Sequence, residues 1–533
     1  MPWNDNLDEV KPNFEICKKV VDRVVEKLHV NKLYDRYNDV LDKQLKDDII
    51  EPIDLVETDV NSHVWIPHRA VIREDEKVTT KLRIVLNCSL KIGKSPSLNE
   101  AAYPGINLLN DLLQLLIKVR SNDYMVMSDI KSAFLMIKLK DINDRNRFSI
   151  LWRDRDGKLK AFRYKCVVFG FISSPFILNH VVKEHIAKYE KDECFHILNS
   201  NLYVDNLFFT GNDYASLCNL YQQSFARMQE GGFTLRSWAT NCSELKDKFI
   251  EDENLSMHGS VDEKLLGYEY STASDKIKIA YDVEPTGKLV TKRYVLSYIS
   301  KYFDPLGLTL PVTVQGKILM KQIWSMNIEW DEEIPDELKS KWYKIESDFV
   351  KLHELEFKRK AYEGKTSLII FTDASEQCYG FSCYARYREG DEVKTNLLFA
   401  KSKNAPQKKK SLPTLELLGL FLAFKCLPII LKAVNDVITG DVTICVDAQV
   451  VLSWLLTEKV KAKNVFAKNR IKDISVAKKL IYDQSKLNVV YKYVPTNENP
   501  ADMLTRGLSV KEFQTKLELW THGPEFIQTN KIV

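Results

Sequence analysis

The sequence predicts a multidomain chain of mixed α+β and α/β class, and three observations point there. Its 533 residues exceed what one hydrophobic core holds, and at roughly 150 residues per domain three or four compact units are expected. Apolar runs of strand length end on an aspartate in YMVMSD, LIIFTD and VTICVD, at Asp129, Asp373 and Asp447. From Ser367 onward the pattern turns to three strands, a helix, a strand, a helix and a strand, the order of a self-contained α/β domain.

Composition bounds the function classes. With 45% hydrophobic and 28% charged residues the chain packs cores and is not disordered. A net charge of +4, from 77 basic and 73 acidic residues, neither demands nor excludes a phosphate-backbone partner, so local patches must decide. The ten cysteines form no CxxC pair and no zinc spacing with histidine, and read as reduced thiols of an intracellular protein. The most apolar stretch, Leu415 to Val434, carries Glu416, Lys425 and Pro428 and reads as a buried helix. No membrane partner and no signal peptide are expected.

Taken in order, residues 14–48 space Val20, Val21, Val24, Val25 and Leu28 helically, which predicts amphipathic helices. Two β-rich runs between Val64 and Ser89, separated by the charged turn Glu74 to Lys77, predict a hairpin with Arg83 on its second arm. The segment Tyr124 to Leu139 is a buried strand followed by a short turn and another apolar stretch. The segment Ile197 to Thr210 predicts a hairpin with Asp205 and Asn206 at its tip. Between Thr272 and Lys365, turns such as Asp304 to Gly307 alternate with helical runs over Val314 to Met326 and Leu338 to Phe357. In the last domain the expected strands are LIIFTDAS, GFSCYARYR, a third near Asn396 to Ala400, VTICVDA and VVYKYV. The helices are Leu415 to Leu431 and VVLSWLL.

A carboxylate closing a buried strand is costly unless it is paired or holds a metal. Phosphoryl transfer gains from two cations that clamp the attacking and leaving oxygens, and Asp129 with Asp205 suits that role. Singly, an aspartate after an apolar strand is commonly a turn or cap residue. In the last domain Asp373, Glu416, Asp447 and Asp502 form an ordered set, although Asp373 could cap a turn and Asp502 a helix N-terminus.

SDIKSAF, FGFISSPF and YVDN in this order resemble the palm of a reverse transcriptase. PHRAVIRED, KLRIVLNCS, SLNEAAYPG, GGFTLRSWATN, LLGYEY and KYFDPLGLTLPV resemble the polymerase region of BEL/Pao-type LTR retroelements, from Trp3 to about Phe526. The resemblance implies a right-hand polymerase of fingers, palm and thumb followed by a ribonuclease H-like domain. The implied boundaries are a helical segment at 1–60, fingers and palm at 61–285, thumb and connection at 286–365, the nuclease domain at 366–510 and a tail at 511–533.

The same resemblance implies that Asp129 and Asp205 bind Mg²⁺, with Mn²⁺ as the alternative ion, and that Arg83 contacts the triphosphate of an incoming dNTP. Phe134 would lie against the sugar, and Phe169 and Gly170, with Ser174 and Pro175, would support nucleotide and template. Gly267 and Tyr268 would belong to the turn that grips the primer. In the nuclease domain Asp373, Glu416, Asp447 and Asp502 would hold two metals and cleave the RNA strand of an RNA/DNA hybrid. A basic stretch with Lys461, Lys463, Lys468, Arg470 and Lys472 around Phe466 would meet the hybrid's phosphates. The implied partners are an RNA template, a DNA primer and the hybrid, and the implied location is the cytoplasm, in an element particle, or the nucleus.

Some positions depart from the family pattern. Asn206 stands where a second aspartate is usual, Asn87 where relatives tend to carry aspartate, and Ser237 and Trp238 near a usual lysine. Tyr493 lies in a loop that often carries histidine. Asn206 keeps an oxygen but loses a charge, so weaker metal binding is expected. No DTG or DSG triplet and no HHCC pattern occurs, so protease and integrase functions are not expected here. The alternative is a decayed or repurposed element remnant that binds nucleic acid without polymerising.

Overall fold

The computed structural model describes residues 1–72, 82–253, 262–280, 289–457, 460 and 464–529. The expected turn Glu74 to Lys77, and Lys461 and Lys463, lie outside the described residues. The chain divides into two compact units. One comprises Met1–Asn110, Met127–Phe208 and Cys218–Trp238, and the other Asp111–Val126, Phe209–Leu217 and Ala239–Val533.

In the first unit the N-terminal pattern forms helices Phe14–Val30 and Tyr34–Lys46. The first buries Cys17, Val21 and Leu28 along one stripe, as the helical spacing of its apolar residues requires. The predicted hairpin is His68–Ile72 paired antiparallel with Leu82–Leu86. Leu82, Ile84 and Leu86 point into the core and Arg83 lies on the other face, the period-two alternation of a half-buried strand. A three-stranded antiparallel sheet, in the order Ile50–Ile53, Leu159–Tyr164, Ser149–Arg153, completes a core around Tyr37, Trp65, Phe148 and Trp152.

Strands Leu202–Tyr203, Asn206–Gly211, Tyr124–Ile130 and Leu235–Thr240 hydrogen-bond in that order, and Asp129 and Asp205 belong to the first unit. The Tyr124 strand stops at Ile130, and the apolar run beyond it is a short 3-10 turn over Ala133–Met136. The hairpin tip is Val204 and Asp205, not the expected Asp205 and Asn206, because Asn206 already pairs with Tyr203 as the first residue of the next strand.

The second unit holds helices Lys292–Lys301, Leu310–Ser325 and Asp336–Val350, somewhat offset from the expected runs. Its C-terminal part holds a five-stranded sheet in the order Glu392–Asn404, Cys378–Glu389, Thr366–Ala374, Val442–Val446, Val489–Tyr493. The first three are antiparallel and the last two join in parallel. Helix Leu412–Ala433 covers it, and 78% of its apolar window is buried in the protein, as fits a core helix. Gly419 permits that packing, since a Cβ there would stand 3.0 Å from the Asp373 carbonyl and 3.1 Å from that of Gly380.

Arg359 is fully buried. It pairs with Asp275 at 2.6 Å and donates to the carbonyls of Val119, Ser121, Asn122 and Asp123, so no donor of its fork is stranded. The expected tail from 511 onward begins inside helix Val510–Thr515 and continues with helix Leu517–His522 and a last 3-10 turn. Buried Trp520 donates to the Leu308 carbonyl at 2.7 Å, and Tyr384 donates to the Trp520 carbonyl at 2.9 Å. All ten cysteines are free thiols.

Two candidate carboxylate sites

In the C-terminal part, strand pairing brings the carboxylates together. Asp373 is the penultimate residue of Thr366–Ala374, and Asp447 follows Val442–Val446, which runs parallel beside it. Glu416 lies near the start of the covering helix, one turn before Gly419, where helix and strand approach most closely. One oxygen from each of Asp373, Glu416 and Asp447 lies within 4.8 Å of the others.

Asp502 ends the short turn Pro500–Asp502 and pairs with Arg506 Nε at 3.1 Å. Outside the close group of three, it is near enough to raise the proton affinity of each member.

Burial is the main electrostatic cause here. It pushes the Asp373 carboxyl up to about 7, with repulsion from Asp447 and Asp502 added and the Thr505 hydroxyl pulling the other way. It pushes Glu416 up to about 9, with Asp373 and Asp447 adding to it. Asp447 is raised by burial and eased by Asn499 and Thr496. Glu416 Oε2 is buried without a hydrogen-bond partner among the described residues. An orphaned buried oxygen beside two further raised carboxylates fits a divalent cation, which would satisfy all three.

Residues that no motif flagged support this group. Thr505 donates to Asp373 Oδ2 at 2.5 Å, and buried Asn499 donates to the Thr372 carbonyl at 3.0 Å while accepting the Ala501 N–H at 3.1 Å. The Asn-Pro step at 499–500 was the available signal, because asparagine commonly bonds its own backbone two residues on.

In the first unit Ile130 N–H donates to the Asp205 carbonyl at 2.7 Å, which sets the hairpin tip against the end of the Asp129 strand. Val204 holds φ +57°, a strained conformation for a β-branched residue that serves to present Asp205. Burial raises the Asp205 carboxyl, the charge of Asp129 adds to it, and Arg83 and Arg236 pull it down. Asn206 Nδ2 donates to Asp205 Oδ1 at 3.0 Å. Asp129 Oδ2 receives Arg236 Nε and Nη2, each at 3.2 Å, and its Oδ1 is buried without a partner among the described residues. Arg236 is thus a cation at this site beside Arg83, one residue before the Ser237 and Trp238 pair; Trp238 is buried edge-on against Tyr221.

The other expected contacts fall in three places. Phe134 and Phe169 meet edge to face at 5.1 Å, and Gly170, at φ +100°, has no room for a Cβ, which would stand 2.0 Å from the Leu86 carbonyl. Gly267 occupies a turn with Leu266, both at positive φ. Tyr268 points the other way: it is fully buried, and its hydroxyl donates to Asp304 at 2.7 Å. Lys468 is exposed on helix Val465–Ser485, while Arg470 is engaged by Asp473 at 2.8 Å and lies over the rings of Phe421 and Phe466.

Residues 291–448 match the family model of the Pao retrotransposon-like RNaseH-like domain. No curated protein matches. Among solved structures, the foamy viral protease-reverse transcriptase dRH in complex with double-stranded DNA is similar with TM-score 0.52 and 14% identity, over 86% of this chain and 69% of that one. The foamy viral protease-reverse transcriptase in complex with dsDNA is similar with TM-score 0.50 and 14% identity, over 86% of this chain and 82% of that one. At that identity the likeness establishes a shared mixed α/β multidomain fold. Over residues 291–448 the family match agrees with the Pao-type resemblance that the motifs carry.

Proposed function

We infer that this chain is a retrotransposon reverse transcriptase with ribonuclease H activity, an RNA-directed DNA polymerase that also cleaves the RNA of RNA/DNA hybrids. The observation that carries the reading is the convergence of Asp373, Glu416 and Asp447 within 4.8 Å, with a buried unpartnered oxygen on Glu416. A structural core has no use for three mutually repelling carboxylates, two of them buried and the third half-buried.

In this reading Asp373, Glu416, Asp447 and Asp502 hold Mg²⁺ or Mn²⁺ in the nuclease, and Asp129 and Asp205 do so in the polymerase. Bound there, such ions supply the positive charge that activates the attacking oxygen and stabilises the leaving one. Thr505 and Asn499 keep the nuclease carboxylates in place, and Arg506 fixes Asp502. Arg83, whose charge already acts on Asp205, would receive the triphosphate of a dNTP, and Phe134 and Phe169, which pack on each other, would bear on its sugar and base. The Leu266 and Gly267 turn would hold the primer, and Lys468 the hybrid backbone. Nucleic acid as partner is supported by the foamy viral relatives, both in complex with double-stranded DNA.

The Arg236 pair on Asp129, together with Asn206, favours a second reading, in which the nucleic acid is bound and the polymerase is silent. Primer extension on an RNA template with Mg²⁺, run beside cleavage of labelled RNA in a hybrid, separates the two. Both products support the enzyme; cleavage without extension supports the silent polymerase; neither product from folded protein removes the enzyme reading.

A further inference from the structure

Beside the nuclease carboxylates lies a cleft of about 600 Å³, lined among others by Lys321, Trp324, Glu376, Lys409, Lys410 and Leu415. Glu376 stands three residues after Asp373, and Leu415 immediately before Glu416, so the cleft opens next to the catalytic group. Three lysines face one carboxylate, a net positive lining.

Trp324 is 47% exposed, unusual for a side chain with so much apolar area to bury. It is nevertheless held in place. Trp330 packs against it at right angles with ring centres 5.3 Å apart, and Lys292 Nζ sits 4.4 Å from its ring centre. Lys292 is itself buried and anchored on the Ile328 carbonyl at 3.0 Å. Across the cleft Lys321 Nζ reaches the carbonyls of Glu376 and Gln377 at 3.3 and 3.4 Å, which ties its helix to the turn after the Asp373 strand. A braced, open indole beside a row of ammonium groups is the combination that binds single strands, with bases on the ring and phosphates on the lysines. A duplex keeps its bases stacked and has no face to offer the indole.

We propose that this cleft binds a single-stranded nucleic acid segment that continues from the hybrid in the nuclease site, with a base stacked on Trp324 and phosphates on Lys409 and Lys410. The proposal rests on the nuclease reading and adds a preference to it, for hybrids with a single-stranded extension.

The test uses the full chain carrying Asp447→Asn, so that bound RNA is not cut. Affinity is measured by fluorescence anisotropy for a blunt RNA/DNA hybrid, for the same hybrid with a DNA extension and for one with an RNA extension. The expected result is a gain of about tenfold from at least one extension, and the two arms tell which strand enters. Trp324→Ala should remove most of that gain and leave the blunt hybrid's affinity unchanged, while Trp324→Phe keeps it. Lys409→Glu with Lys410→Glu should cut the gain and flatten its salt dependence. No gain from either extension, or a full gain in Trp324→Ala, overturns the cleft. Failure of the blunt hybrid to bind while extended ones do would instead overturn the nuclease reading and leave the cleft standing.

Discussion

Glu416→Gln tests the electrostatics of the nuclease site without removing its packing. In the metal-free protein Glu416 holds its proton up to about pH 9, against an ordinary 4.5. The folded state therefore binds more protons than the unfolded chain between those values, and folding stability falls as pH rises through that window. At roughly 1.4 kcal/mol per pH unit the strain reaches on the order of 3 kcal/mol by pH 7. Glutamine has nearly the same shape, can still accept the Ala374 hydrogen bond and carries no charge. The variant should be more stable than the parent in EDTA at pH 7 by that amount, and the difference should vanish near pH 4.5. Mg²⁺ should stabilise the parent and do much less for the variant. Urea unfolding at pH 5, 7 and 8.5, with EDTA or Mg²⁺, reads all of this. A variant that is less stable at pH 7, or a parent whose stability does not fall with pH in EDTA, refutes the account of mutual repulsion.

Two further outcomes follow from particular contacts. Asn206→Asp should lower the Mg²⁺ concentration needed for primer extension or raise its rate, by adding a charged ligand beside Asp205; an unchanged magnesium titration counts against the role given to that position. His68 is buried, bonded to Tyr37 and to the Leu151 carbonyl, and its ring is held down to about 4 by burial. The unfolded chain takes up that proton below about pH 6.5, so stability present at neutral pH is lost as pH falls from 6.5 towards 4. The loss is on the order of 2 kcal/mol by pH 5. Urea unfolding of the parent and of His68→Gln should show that difference in slope between pH 7 and 5, and parallel slopes would contradict it.

Asp129, Asp373 and Asp447 were legible because each closes an apolar strand, and Glu416 because it interrupts an apolar helix, whereas Asp502 was found only as the last of an ordered set. Their supports were not. Arg236, Asn499 and Thr505 act across distances of 107, 127 and 132 residues in sequence, and a polar residue that braces a distant one leaves no periodic trace. Tyr268 was read with its turn as a primer contact, but in a two-residue turn the flanking positions face the core, and only the long-range bond to Asp304 shows which way its ring goes. The stretch around Lys468 reads as a charge run, yet Ala467, Ile471, Ile474 and Ile481 are buried at helical spacing along Val465–Ser485. The basic residues hid that apolar stripe. Trp324 and Trp330 gave no signal, since isolated aromatics belong to cores more often than to clefts.

If the chain carries two separate metal-dependent sites, single-site variants assayed for both reactions will separate them. With Mg²⁺, Asp129→Asn should abolish primer extension on an RNA template and still cut RNA in a hybrid, while Asp447→Asn should do the reverse. Loss of both reactions from either substitution, or survival of both, would contradict it.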